Sequence, residues 1–201
     1  MVLATNNPGK VREFRRLVEP AGWEVVTPRE LGLAFEVDED GASYAENAVK
    51  KAQACADAAG MLALADDSGI EVDALDGGPG MYSARFGGPG LDDAGRTRLL
   101  LERLAGVPPE RRTARYRAVV ALAWPAAEGR APVTFEGVEE GRIGTEPRGE
   151  RGFGYDPVFL VDGVDGERTQ AELSDEEKDA VSHRGKAVRA ALAWLEAEAD
   201  G

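Results

Sequence analysis

Apolar and polar residues along this chain follow two periods, and the switches between them predict the order of its elements. Met1–Thr5 is a short apolar run ended by turn residues, which reads as a buried strand. After Pro8 and Gly9, the apolar residues Val11, Phe14, Leu17 and Val18 recur at helical spacing, predicting a helix over 10–18. Trp23–Thr27 reads as a second strand. Ala42–Ala59 reads as a long alanine-rich helix stopped by Gly60, and Met61–Ala65 as an apolar strand that ends at Asp66-Asp67-Ser68-Gly69. Strand, helix, strand, helix, strand implies an α/β protein with parallel pairing.

The pattern then changes. Asp76–Gly90 is dense in glycine and proline and is expected to be an ordered loop, followed by a helix over 92–104 that offers Leu99, Leu100 and Leu104 to a core. Thr113–Trp124 and Val133–Ile143 read as two long strands joined by the polar turn 126–132, an antiparallel hairpin projecting a second lobe. Pro157–Val161 is one further strand. Ser174 with Glu177 forms a capping-box pattern and so starts a helix. In one unbroken helix, His183 and Arg184 would point about 140° and 240° away from Lys178. To serve one ligand together they require a break near 180–182, with Ser182 capping a second helix over 183–198.

Composition narrows the function classes. The 201 residues carry 24 Lys and Arg against 37 Asp and Glu, a net charge of −13. That excess argues against coating nucleic acid, which rests on phosphate neutralisation by basic side chains. It leaves room for a small phosphorylated ligand held through a divalent cation and a few placed lysines. Apolar content of 43% marks a globular chain, long enough for one domain with two lobes. No apolar run approaches a membrane span, no export segment is legible at the N-terminus, and the single Cys55 reads as a packed residue suited to a reducing cytoplasm.

Four segments carry candidate chemistry. Thr5-Asn6-Asn7-Pro8-Gly9-Lys10 joins a strand to a helix, where backbone amides and Lys10 attract anions, although an ordinary turn has the same form. Asp66 and Asp67 are adjacent carboxylates at the end of an apolar strand, and Glu36–Asp40 supplies a second acidic source. Such pairs suit Mg²⁺ or the activation of water, or else make a solvated turn. Phe153-Gly154-Tyr155-Asp156 places two aromatic rings about a glycine, for stacking or for the core. Lys178 with His183 and Arg184 forms a cationic cluster around the only histidine, in a ligand site or at the surface.

With these residues in this order, the chain resembles the inosine triphosphate pyrophosphatase family nearly end to end. The resemblance also covers Glu46-Asn47-Ala48 with Lys51, the loop Gly78–Arg85, Gly152–Pro157, and Glu177-Lys178 with Ser182-His183-Arg184. Asn6 departs from it, standing where many members have glycine; asparagine tolerates positive φ better than most residues. The resemblance implies a two-lobed α/β fold, an elongated mixed sheet flanked by helices with a cleft between lobes, and a homodimer. It implies Mg²⁺-dependent cleavage of deaminated purine nucleoside triphosphates to the monophosphate and pyrophosphate. By position, Asp67 would be general base and metal ligand, and Glu39 the second ligand, with Asp38 and Asp40 as neighbours in the same acidic run. Thr5, Asn6, Asn7, Pro8, Gly9, Lys10, Lys51 and Ser68 would contact phosphates or sugar. Phe153, Gly154, Tyr155, Asp156, Lys178, His183 and Arg184 would surround the base and ribose. Two other readings remain open on sequence: a pyrophosphatase of the related septum-inhibitor (Maf) type acting on modified or pyrimidine triphosphates, and a nucleotide-binding module without catalysis.

Overall fold

The computed structural model describes residues 1–199. Its strands form one mixed sheet in the order β1 (Val2–Leu3), β2 (Ala63–Val72), β4 (Thr113–Ala123), β5 (Val133–Ile143) and β6 (Phe159–Val161), with β3 (Pro79–Gly80) paired to β2. β1 runs parallel to β2, while β3 is antiparallel to β2 and β6 antiparallel to β5. The helices are α1 (Pro8–Val18), α2 (Tyr44–Ala59), α3 (Asp93–Arg103), α4 (Asp175–Val181) and α5 (His183–Ala199). This is the α/β class expected from the alternation of periods.

The chain divides into two compact units. The first comprises Met1–Asp67, Ala118–Gly137 and the chain from Arg184 onward. Here strand alternation sorts the core into two layers. Leu3, Leu64, Val120, Leu122 and Trp124 pack with Phe14 and Val18 of α1 and Ala187, Val188, Ala191 and Leu192 of α5. The intervening residues Val2, Ala4, Ala63, Ala65, Val119, Ala121 and Ala123 pack with Ala48, Ala52, Cys55 and Ala56 of α2. Burial pushes the Cys55 thiol up to about 11, so it behaves as a small core residue.

The second unit comprises Ser68–Arg117 and Val138–His183. Its core gathers Ile70 and Val72 of β2, Leu100 of α3 with Leu104, Tyr116 of β4, and Val158, Phe159 and Val161 around β6. Tyr155 and Leu173 complete it.

Three expectations change. Trp23–Thr27 is not a strand but a single bridge from Val26 to Val2, because Gly22 in the left-handed region and Pro28 confine the extended stretch. β2 does not end before Asp66 but runs through it to Val72, since Ile70 and Val72 continue the buried run. The hairpin of β4 and β5 projects no lobe of its own: its turn half, Ala118–Gly137, belongs to the first unit and its open half to the second. The break before α5 falls at Ser182, whose extended backbone (φ −64°, ψ 151°) separates α4 from α5. The capping box of Ser174 and Glu177 starts α4 as its spacing requires.

Candidate active site

In the first unit the acidic pair is divided by the pleat of β2. Successive side chains point to opposite faces of a strand, so Asp66 follows Leu64 toward α1 and α5, and Asp67 follows Ala65 toward α2. Each carboxylate therefore meets a different set of partners.

Asp66, 2% exposed, takes Lys10 Nζ on Oδ1 at 2.9 Å and Arg184 Nε on Oδ2 at 3.4 Å. Arg184, the second residue of α5, also donates to the buried carboxylate of Glu13 on α1. Burial disfavours the ionised Asp66, but Lys10, Arg184 and Lys51 outweigh it and hold the carboxyl well below the usual carboxylate range. Lys10 is drawn the other way: desolvation lowers its pKa despite the attraction of Asp66.

Asp67, 5% exposed, receives Asn47 Nδ2–H on Oδ2 at 3.1 Å and lies 3.4 Å from Lys51 Nζ through Oδ1. Burial raises its pKa, Glu39 raises it further, and Lys51 with the Asn47 hydrogen bond offsets only part of this. Adjacent residues of one strand thus have carboxyls shifted in opposite directions. Lys51 also donates to Glu39 Oε1 at 2.6 Å. Burial opposes its charge, but Asp66, Asp67 and Glu39 together raise its pKa. The structure turns Glu39 to this point, whereas the neighbouring Asp40 pairs with Lys50 at 2.5 Å.

Two carboxylates on one ammonium are a donor set that a divalent cation could use. Among the described residues no group of three His, Cys, Asp or Glu side chains converges into a metal cage. A pair fits Mg²⁺, which takes one or two carboxylates and completes its octahedron with water and phosphate oxygens.

The Thr5–Lys10 turn is organised by Asn7. Its Oδ1 accepts the backbone N–H of Gly9 (2.8 Å) and Lys10 (3.1 Å), so these two helix-start amides are capped from within the chain. Asn6 is not among the residues with positive φ. Thr5, Asn6 and Pro8 border an open groove of about 1220 Å³, whose other wall includes Leu33 and Phe35.

The second unit holds the remaining candidates. Ser68 is half-buried in β2. Asp156, 4% exposed, accepts Lys178 Nζ (2.6 Å) and the Phe153 N–H (2.9 Å) on Oδ2, and the Tyr116 hydroxyl (3.2 Å) on Oδ1. Lys178 lies 5.4 Å from the centre of the half-buried Phe153 ring, leaving Phe153 as the aromatic surface of the motif. Tyr155 turns inward, its hydroxyl donating to the Ser83 carbonyl at 2.8 Å. Gly154 contributes backbone: its N–H reaches Asp93 (2.9 Å) and its carbonyl accepts from Thr97 (3.2 Å). His183 is stacked on Tyr116 (4.6 Å between ring centres, 11° between planes), with Nδ1 3.2 Å from Glu139 Oε2.

Sequence reasoning assigned no role to Glu13, Asn47, Tyr116, Glu139 or Gly152. Glu139 was legible in principle. In β5 it shares the parity of Gly137, Gly141 and Ile143, all buried, so an acid stands on the inward face. Glu13 precedes Phe14 on the buried side of α1. Tyr116 carries no signal beyond its place in an apolar strand.

The comparisons agree with this architecture. The Ham1 family model matches residues 1–194. The dITP/XTP pyrophosphatase of Desulforamulus reducens is 53% identical over 195 residues, covering 97% of this chain and 94% of that protein. That of Thermus thermophilus is 49% identical over 201 residues, covering 100% and 92%. The Staphylococcus aureus Ham1 protein structure superposes with a TM-score of 0.84 at 38% identity, over 98% of each chain. The dITP/XTP pyrophosphatase structure from Mycobacterium abscessus gives 0.73 at 45% identity, covering 95% of this chain and 97% of that one. The chain belongs to the Ham1 family.

Proposed function

We propose that this protein is a nucleoside triphosphate pyrophosphatase that hydrolyses deaminated purine nucleotides (ITP, dITP or XTP) to the monophosphate and pyrophosphate. The observation that carries the reading is the division of labour on β2: one buried carboxylate neutralised by Lys10 and Arg184, the next kept basic by burial. The relatives named dITP/XTP pyrophosphatase supply the substrate class.

The chemistry follows from the charges. Water attacks the α-phosphorus and pyrophosphate leaves, so alignment of the water and neutralisation of developing charge are the tasks. Asp67 orients the water and takes its proton; a carboxyl made more basic by burial is better suited to this than an ordinary one. Asn47 holds the Asp67 carboxylate by one oxygen and so fixes its direction. Lys10 and Lys51 bring positive charge to the phosphates. The Lys10–Asp66–Arg184–Glu13 network keeps Lys10 in place and makes Arg184 a supporting charge at this end. Glu39 and Asp67 would hold Mg²⁺, which supplies charge neutralisation on phosphate oxygens when bound. Thr5–Gly9 and Ser68 contribute further contacts to phosphate or sugar.

Recognition of the base falls to Phe153, Asp156, Lys178 and His183. Hypoxanthine and xanthine present a carbonyl acceptor at position 6 where adenine presents an amino donor. A donor-lined pocket accepts the first pair and leaves adenine's amino group facing unmatched donors, costing about 1–3 kcal/mol each. A homodimer is the assembly that the family resemblance implies, and the packed Cys55 suits a reducing cytoplasm.

Hydrolysis of ITP in ¹⁸O-labelled water tests the reaction. The reading expects label in inosine monophosphate and none in pyrophosphate. Label in released orthophosphate, or in pyrophosphate alone, contradicts attack at the α-phosphorus.

A further inference from the structure

The first turns of α3 reach the Phe153–Asp156 segment of the second unit, and the proposed chemistry gives them no role. Asp92 accepts the Gly95 N–H at 2.8 Å and so caps this helix. The carboxylate of Asp93, one residue on, is turned to the segment instead: Oδ2 accepts the Gly154 N–H at 2.9 Å, while Oδ1 takes Arg96 Nη1 at 3.3 Å. Thr97 lies one turn further along the same face and is 4% exposed. Its single hydroxyl proton goes to the Gly154 carbonyl at 3.2 Å.

The two bonds grip the peptides on either side of the Gly154 Cα. Gly154 has φ +63°, with no atom within 4 Å of the position a Cβ would take, so glycine serves the turn of the backbone here and not a close approach. Its neighbours diverge across that turn. Phe153 is half-buried, whereas Tyr155 is buried with its hydroxyl on the Ser83 carbonyl at 2.8 Å. A cavity of about 520 Å³ is lined by Ala94, Thr97, Arg98 and Leu101 on the helix side and by Phe153 and Gly154 on the other. Across this space the helix acts on the ring through the Gly154 backbone.

We infer that Asp93 and Thr97 are positioning residues for the base: by fixing both Gly154 peptides they set the plane on which Phe153 stacks a purine. This rests on the proposed function, which supplies the base. Stacking uses the face of the base, which every purine has, whereas the exocyclic groups are read at its edge. The clamp therefore strengthens binding of purine triphosphates alike and leaves the choice among them to the groups at the edge.

Hydrogen exchange at the Gly154 amide, followed by NMR, reads the clamp without any nucleotide. In the double variant Asp93→Ala with Thr97→Val, which keeps the shape of Thr97 without its hydroxyl, exchange should quicken about tenfold or more. KM for ITP and for ATP should both rise about tenfold at unchanged kcat, leaving the ITP-to-ATP ratio of kcat/KM as in the parent. A second double variant, Asp93→Asn with Thr97→Ser, keeps an acceptor and a hydroxyl and should stay within about twofold of the parent in KM. Unchanged exchange in the first variant overturns the inference, and so does its KM within about twofold of the parent, a fall in its kcat or selectivity ratio, or an equal loss in the second variant. If the first variant does not fold, Thr97→Val alone should raise KM about threefold at unchanged kcat, and an unchanged KM overturns the inference. Failure of the parent to release pyrophosphate from ITP would refute the proposed function, while the exchange rates would still report the clamp.

Discussion

Asp66 and Asp67 are chemically identical neighbours whose environments differ because β2 points them to opposite faces. Asp67→Asn is expected to abolish turnover, and retention of activity within a few-fold of the parent would remove Asp67 as general base. The same variant should melt no lower than the parent at neutral pH. Burial, first, raises the Asp67 pKa, so its stabilising contribution is present below the ordinary carboxylate range of about 4 and is lost as pH rises through its folded value. Asp66 behaves in the opposite sense. Despite burial, its cations depress the pKa, so its contribution is present above about pH 4 and lost as pH falls toward the depressed value. Asp66→Asn should cost about 3 kcal/mol, because it removes the counter-charge of the partly buried Lys10 and one of the carboxylates paired with the buried Arg184. Calorimetry of both variants across pH checks the signs. The sequence displayed the pair but not its division, since the apolar run alone did not reveal that β2 continues past it.

Elements were legible where one period dominated. α1 follows from apolar spacing, α2 from its alanine-rich run stopped by Gly60, and the two long strands from their own runs, while the break at Ser182 and the start of α5 follow from the geometry needed to bring Lys178 and His183 to one ligand. What spacing could not show is close approach between loops. Gly152, at φ +75°, lies so near Asp156 that a Cβ would stand 1.9 Å from Oδ2 and 3.1 Å from Lys178 Nζ. Gly152→Ala must therefore displace the Asp156–Lys178 pair as well as strain its own backbone. KM for ITP is expected to rise at least tenfold with the melting temperature lowered by a few degrees, about 1–2 kcal/mol in a chain of this size. An unchanged KM would separate the Gly152–Asp156 loop from substrate binding. Ser174→Ala removes the cap of α4, which carries Lys178, and should cost about 1 kcal/mol.

At the scale of the whole molecule, a net charge of −13 coexists with three cations, Lys10, Lys51 and Arg184, gathered around the buried Asp66 within one unit. Composition argues against nucleic-acid coating but could not show that these cations converge, because Lys10 and Arg184 are separated by most of the chain. The family was legible from motifs in their order, and the match over residues 1–194 bears that out. The central claim is that this charge arrangement serves deaminated purine triphosphates with a divalent cation. Pyrophosphate release from ITP, XTP, ATP and GTP, each with and without Mg²⁺, tests it most directly. The account predicts kcat/KM for ITP or XTP about two orders of magnitude or more above that for ATP or GTP, and only with the metal. Equal rates across the four nucleotides, or full activity in a chelator, would contradict it.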